Sequence, residues 1–97
     1  MPTFITLVNF TDQGIKNIKE SPKRAKAFQD LAKKLGCTVK ELYWTQGQYD
    51  LVTIVDAPDE QTMSALVLTV AGLGNIRGQT LRAFSAAEFG AIIKKMG

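Results

Sequence analysis

The stretch that decides the fold is Val39-Lys40-Glu41-Leu42-Tyr43-Trp44-Thr45-Gln46-Gly47-Gln48-Tyr49-Asp50-Leu51-Val52-Thr53-Ile54-Val55-Asp56. It reads as two strands folded back on each other about Gly47, with a short turn at Gln46-Gly47-Gln48. Residues 49–56 carry Leu51, Val52, Ile54 and Val55, an apolar and β-branched run suited to a strand buried on both faces.

Upstream, Thr3 to Phe10 sets Phe4, Thr6, Val8 and Phe10 on one face and Ile5, Leu7 and Asn9 on the other, a second strand apolar on both sides. Thr11-Asp12-Gln13-Gly14 offers an N-cap for a short helical segment through Ile15 and Ile18. Ser21-Pro22 then restarts the helix, with serine as cap and proline at the first helical position. Phe28, Leu31, Ala32 and Leu35 follow at helical spacing, and Gly36 closes the helix as a left-handed cap.

Downstream, Ala57-Pro58-Asp59-Glu60 opens a helix with negative charge at its positive end. Met63, Leu66, Val67, Val70 and Leu73 form its buried stripe, and Gly72 and Gly74 stop it. Residues 76–84 read as a fourth strand. Ser85-Ala86-Ala87-Glu88 is a capping box flanked by a Phe84–Phe89 staple, and Phe89, Ile92, Ile93 and Met96 stripe the last helix.

This order predicts an α+β fold: a ferredoxin-like βαββαβ sandwich with an added C-terminal helix, strand order 4-1-3-2. Both helices of the repeat must cover one face, yet both central strands are apolar on both. The second face therefore needs the C-terminal helix and a second chain, which makes a face-to-face dimer or higher homo-oligomer the expected state.

Composition narrows the chemistry. Ninety-seven residues, 45% hydrophobic and 22% charged, make a single domain over 1–97 with little surplus core. There is no histidine and one cysteine, so the commonest general base and a structural zinc set are both missing; only an oxygen-ligand metal site or a carboxylate base survives that filter, and no metal or cofactor is assigned. A single cysteine fits a reducing, cytoplasmic setting, and no apolar run is long enough for a membrane span. Residues 1–40 carry eight Lys/Arg against three Asp/Glu, and residues 41–97 four against six. The basic excess reads as the solvated face of a helix. No interleaved aromatics or nucleic-acid signature accompany it, so nucleic acid is not an expected partner.

Gly47-Gln48-Tyr49-Asp50 is also where a family likeness appears. Together with Asn9-Phe10-Thr11-Asp12-Gln13-Gly14, Ser21-Pro22-Lys23-Arg24, Tyr43-Trp44-Thr45 and Leu81-Arg82-Ala83-Phe84-Ser85, it makes the chain resemble the GYD-domain family over nearly its whole length. The resemblance implies a ferredoxin-like fold of the dimeric α+β-barrel type and no particular activity. A more distant similarity, on Gly47 to Leu51, Val55 to Asp59 and Gly74 to Ile76, is to the ligand-sensing domain of AsnC-type transcription regulators. It implies binding of a small molecule; this chain has no helix-turn-helix.

Candidate ligand-binding residues are Asn9, Tyr43, Trp44, Gly47, Tyr49, Asp50 and Arg82, with none assigned as catalytic. Tyr43, Trp44 and Tyr49 gather aromatic chemistry around one hairpin, either as packing or as one wall of a pocket between sheet and helices. Asp50 either accepts backbone N–H bonds or pairs with Arg77 or Arg82, or else orients a polar ligand. Gly72 to Gly78 is a helix stop, since a phosphate cradle needs the strand before the glycines. Cys37 reads as a small buried hydrophobe. Three functions fit: a small-molecule binding or sensing homo-oligomer, a structural or assembly protein, and a cofactor-free enzyme of monooxygenase or isomerase type. In the last, Asp50 or Tyr49 would act as acid/base and Trp44 as pocket wall.

Overall fold

Alternating apolar residues make four strands, and their pairing places everything else. The computed structural model describes residues 1–97. In chain order the elements are β1 (Thr3–Phe10), α1 (Asp12–Lys16), a single 3-10 turn (Ile18–Glu20), α2 (Ser21–Lys34), β2 (Thr38–Trp44), β3 (Leu51–Asp56), α3 (Glu60–Ala71), β4 (Ile76–Ala83) and α4 (Ala86–Lys95). The four strands form one antiparallel sheet in the order β2-β3-β1-β4, the expected order, compatible with a ferredoxin-like fold.

Register assigns the faces, because residues directly opposite in an antiparallel pair project to the same side. Phe4, Thr6 and Val8 of β1 lie on the side of Thr53 and Val55 of β3, and all five are buried. Helices α2 and α3 cover this side: Ala32, Met63 and Leu66 join Phe4 and Val55 in the core. Cys37 lies in the same cluster, the buried hydrophobe anticipated. Burial pushes its thiol up, and the Asp59 charge adds to that.

Helix ends follow the sequence closely. Thr11 Oγ1 accepts from Gly14 N–H at 3.1 Å, and Asp59 Oδ1 accepts from Thr62 N–H at 2.7 Å. That backbone bond holds the Asp59 carboxyl below the ordinary carboxylate range. The capping box at α4 is reciprocal: Glu88 N–H donates to Ser85 Oγ at 3.1 Å, and Ser85 N–H donates to Glu88 Oε1 at 2.9 Å. Ser21 departs from expectation. The 3-10 turn runs straight into α2, so Ser21 is already helical, and its hydroxyl caps nothing. It accepts the Trp44 indole N–H at 3.0 Å instead, tying α2 to the edge strand.

Two further expectations are corrected. Strand β3 begins at Leu51 rather than Tyr49: Trp44 pairs with Leu51, and Thr45 to Asp50 form a wider loop closed by Thr45 N–H donating to Asp50 O at 2.8 Å. And α4 does not cover the second face of the sheet. It has no buried residue, and its tie to the sheet is the Arg82–Glu88 pair at its first turn. The molecule is only 18 Å through its thinnest extent against 52 Å along its longest. With sheets and helices packing roughly 10 Å apart, that thickness accommodates two layers and no third. No helix is long and apolar enough to cross a membrane.

Candidate functional site

The hairpin loop holds four of the seven candidate residues together. Gly47 takes φ +104°, a conformation that side-chain-bearing residues rarely adopt, and it lets the loop reverse. Asn9 Nδ2 donates to Gln48 O at 2.8 Å, fixing the loop to the end of β1. Thr45 Oγ1 donates to Tyr49 O at 2.6 Å. The Asp50 carboxylate accepts Phe10 N–H at 2.9 Å, while Asp50 N–H donates to Val8 O at 2.8 Å. Asp50 thus takes its backbone-accepting role, across to β1, and neither Arg77 nor Arg82 forms an ion pair with it.

Arg82 is at the opposite end of the sheet, because it pairs with Phe4 while Leu51 pairs with Val8. Its guanidinium stacks over Phe84 at 4.5 Å and Phe4 at 5.7 Å, reaches Thr3 O at 3.3 Å and stands 3.8 Å from Glu88. Backbone bonding from Ser85 is the main cause holding the Glu88 carboxyl low, with the Arg82 charge contributing further.

Tyr43 and Trp44 part company. As neighbours in one strand they project to opposite faces. Trp44 lies on the helix side with its bond to Ser21, whereas Tyr43 stands on the open side beside Val52 and Leu7. There its phenol donates to Glu41 Oε2 at 2.7 Å, which raises its pKa.

The most apolar concave feature lies elsewhere on the helix side. An apolar cavity of about 210 Å³ opens between α2, α3 and the sheet. Thr6, Val8, Thr53 and Gly78 make its floor, and Phe28, Leu31, Met63, Val67 and Val70 its walls. Arg24 lies at its rim with Asn75. Gly78 adds no side chain to the floor, where a Cβ would come within 3.2 Å of Thr6 Cγ2. Thr6 and Thr80 hydroxyls meet at 3.1 Å, and Thr53, only 4% exposed, lines the cavity beside them. The rim is built by close approach: Gly14 packs on the Asn75 carbonyl so tightly that a Cβ would sit 2.1 Å from it. Arg24 spans to the Asn17 carbonyl at 3.0 Å and, at 3.5 Å, to that of Gly14.

None of the seven candidates lines this cavity. Its residues come from β1, α2, β2, β3, α3 and β4 and look like ordinary core. The one signal for it in the sequence is small or hydroxylated residues, Thr6, Thr53, Gly78 and Thr80, recurring on the helix-facing side. No three His, Cys, Asp or Glu side chains converge anywhere.

The chain matches the model of the GYD domain over residues 4–93. It belongs to the GYD-domain family. Among its relatives this GYD protein is 36% identical over 95 residues to the "Glutamine synthetase and cystathionine beta-lyase binding protein" of Thermus thermophilus, covering 97% of this chain and 100% of that one. A second likeness is structural. The crystal structure of TTHA0845, also from Thermus thermophilus, superposes with a TM-score of 0.58 at 27% identity, over 89% of this GYD chain and 96% of that one.

Proposed function

We propose that this GYD protein is a non-catalytic binding module that works as a homo-oligomer and docks onto a metabolic enzyme. The observation that carries the reading is the uncovered sheet face. Ile5, Leu7, Val52 and Ile54 form its centre, with Leu81 and Tyr43 exposed beside them. Four strands at roughly 4.8 Å spacing and eight residues' length give a face of about 500 Å² in projection. Two such faces together approach the roughly 1,000 Å² that a specific interface needs. A second copy would also give the apolar side of α4 something to pack on. The relative's name supports the enzyme-docking part, and a bacterial glutamine synthetase is the first partner to offer. An unpaired thiol at Cys37 fits a cytoplasmic setting.

The test is sedimentation velocity on the wild type and on Leu7→Lys, with circular dichroism as the folding control, followed by surface binding to glutamine synthetase. The wild type sediments as a dimer or larger and the variant as a folded monomer. A wild type that stays monomeric at tens of micromolar ends the self-association reading, and no binding to the enzyme ends the docking reading.

A second reading, small-molecule sensing, rests on the cavity. Its apolar lining, few polar groups and position between helices and sheet are those of a ligand site.

A further inference from the structure

We propose that the cavity is a binding site for a small aromatic or branched aliphatic monocarboxylate, its apolar body between α2 and α3 and its carboxylate on Arg24. This rests on the sensing reading and adds the ligand class to it.

Size comes first. A cavity of about 150 Å³ lined by aliphatic and aromatic groups holds benzene, so about 210 Å³ takes roughly one ring with a short chain. The walls allow little else: Phe28, Leu31, Val67 and Val70 offer no hydrogen bond to a polar body.

Charge comes second. Arg24 lies at the rim, yet no carboxylate of the chain lies within ion-pairing distance of it. The guanidinium has five N–H donors, and here it uses one on each of two carbonyls, Asn17 O and Gly14 O. Those two bonds hold it in place without neutralising it, and its planar fork suits a carboxylate. The ion pairs elsewhere, at Lys23, Lys40 and Arg82, all have their acid partner already.

The third observation is the hydroxyl of Thr53 in the cavity wall. The residue is only 4% exposed, and its hydroxyl opens onto the cavity, since no side-chain oxygen of the chain is buried without a partner. Apolar bulk, a polar wall group and an unneutralised cation at the mouth together describe an amphipathic acid.

The experiment is titration of the isotope-labelled protein with 3-phenylpropionate, and separately with the neutral 3-phenylpropanol, followed by methyl NMR. The acid is expected to bind one per chain and to shift the Met63, Val67 and Val70 methyls. The alcohol is expected to bind about tenfold more weakly, and Arg24→Gln to weaken the acid to the level of the alcohol. Arg24→Gln keeps the wild-type methyl spectrum without ligand, which separates lost affinity from lost folding, and Val67→Phe blocks both ligands. Equal binding of acid and alcohol, or an Arg24→Gln variant that binds the acid as the wild type does, overturns the carboxylate assignment and leaves the cavity a ligand site. Shifts confined to Ile5, Leu7 and Ile54, or no shift with either compound, overturn the site itself.

Discussion

The two faces of this one sheet are nearly equal in apolar content and opposite in fate. On the helix side, Phe4, Val8 and Val55 vanish under α2 and α3. On the other, Ile5, Leu7, Val52 and Ile54 are only half-buried and Leu81 is 39% exposed. A helix-covered face has its stability built in, whereas an open one offers the same hydrophobic free energy to whatever arrives. Even the covered face is unequal along its length: it is close-packed near Val55 and Leu66, and hollow near Val8 and Gly78.

The sharpest way to probe that comparison is a matched pair of truncations. Leu66→Ala, at a fully buried position, is expected to cost about 3 kcal/mol in urea denaturation. Ile54→Ala should cost about 1 kcal/mol at low protein concentration, because its side chain is only partly buried. If the Ile54 cost climbs toward the Leu66 value as concentration rises, a second copy covers the face. A cost that stays flat with concentration breaks the self-association argument.

A smaller effect tests the hairpin. Asp50→Ala strands the Phe10 N–H and should cost about 1–2 kcal/mol, while Asp50→Asn keeps an acceptor oxygen and should recover much of that loss. Equal stability of wild type and Asp50→Ala would mean that the carboxylate is held for something other than the backbone.

The smallest effects separate a packed helix from an unpacked one. Asp59→Ala should lower the melting midpoint by about 4 °C, since α3 carries Met63 and Leu66 into the core. Ser85→Ala removes an equivalent cap from α4, which buries nothing, so helicity should fall while the global midpoint hardly moves. Both helices should weaken in acid. The Asp59 and Glu88 carboxyls are held low in the folded chain, so their contribution is whole above the ordinary carboxylate range near about pH 4 and is lost as pH falls through the depressed values. A thermal midpoint that rises between about pH 5 and about pH 3 would contradict this.

Much of the fold was legible because its signals are local. Loose alternation marked β1 and a continuous β-branched run marked β3, glycine and proline marked the helix limits, and Ser85 with Glu88 announced α4. Ser21 was misread because serine before proline looks the same whether its hydroxyl caps a helix or receives an indole from a strand twenty-three residues away. The candidate site was less legible. Tyr43 and Trp44 are adjacent in sequence and so looked like one surface, yet alternation sends them to opposite faces of the sheet. Arg82 was grouped with the hairpin on chemistry alone, and the register puts it at the far end.

The sequence by itself determined the elements, their order around the sheet and the presence of apolar side chains on both faces, since these depend on periodicity and on chemistry within a few residues. Only the tertiary structure decided that α4 leaves the second face open, that Asp50 binds the backbone of β1, and that a cavity lies between α2 and α3 beside Arg24. The physical reason is that a void has no sequence period. Its walls are the same leucines, valines and phenylalanines that would otherwise fill it, and only the distances between distant elements tell a packed core from a hollow one.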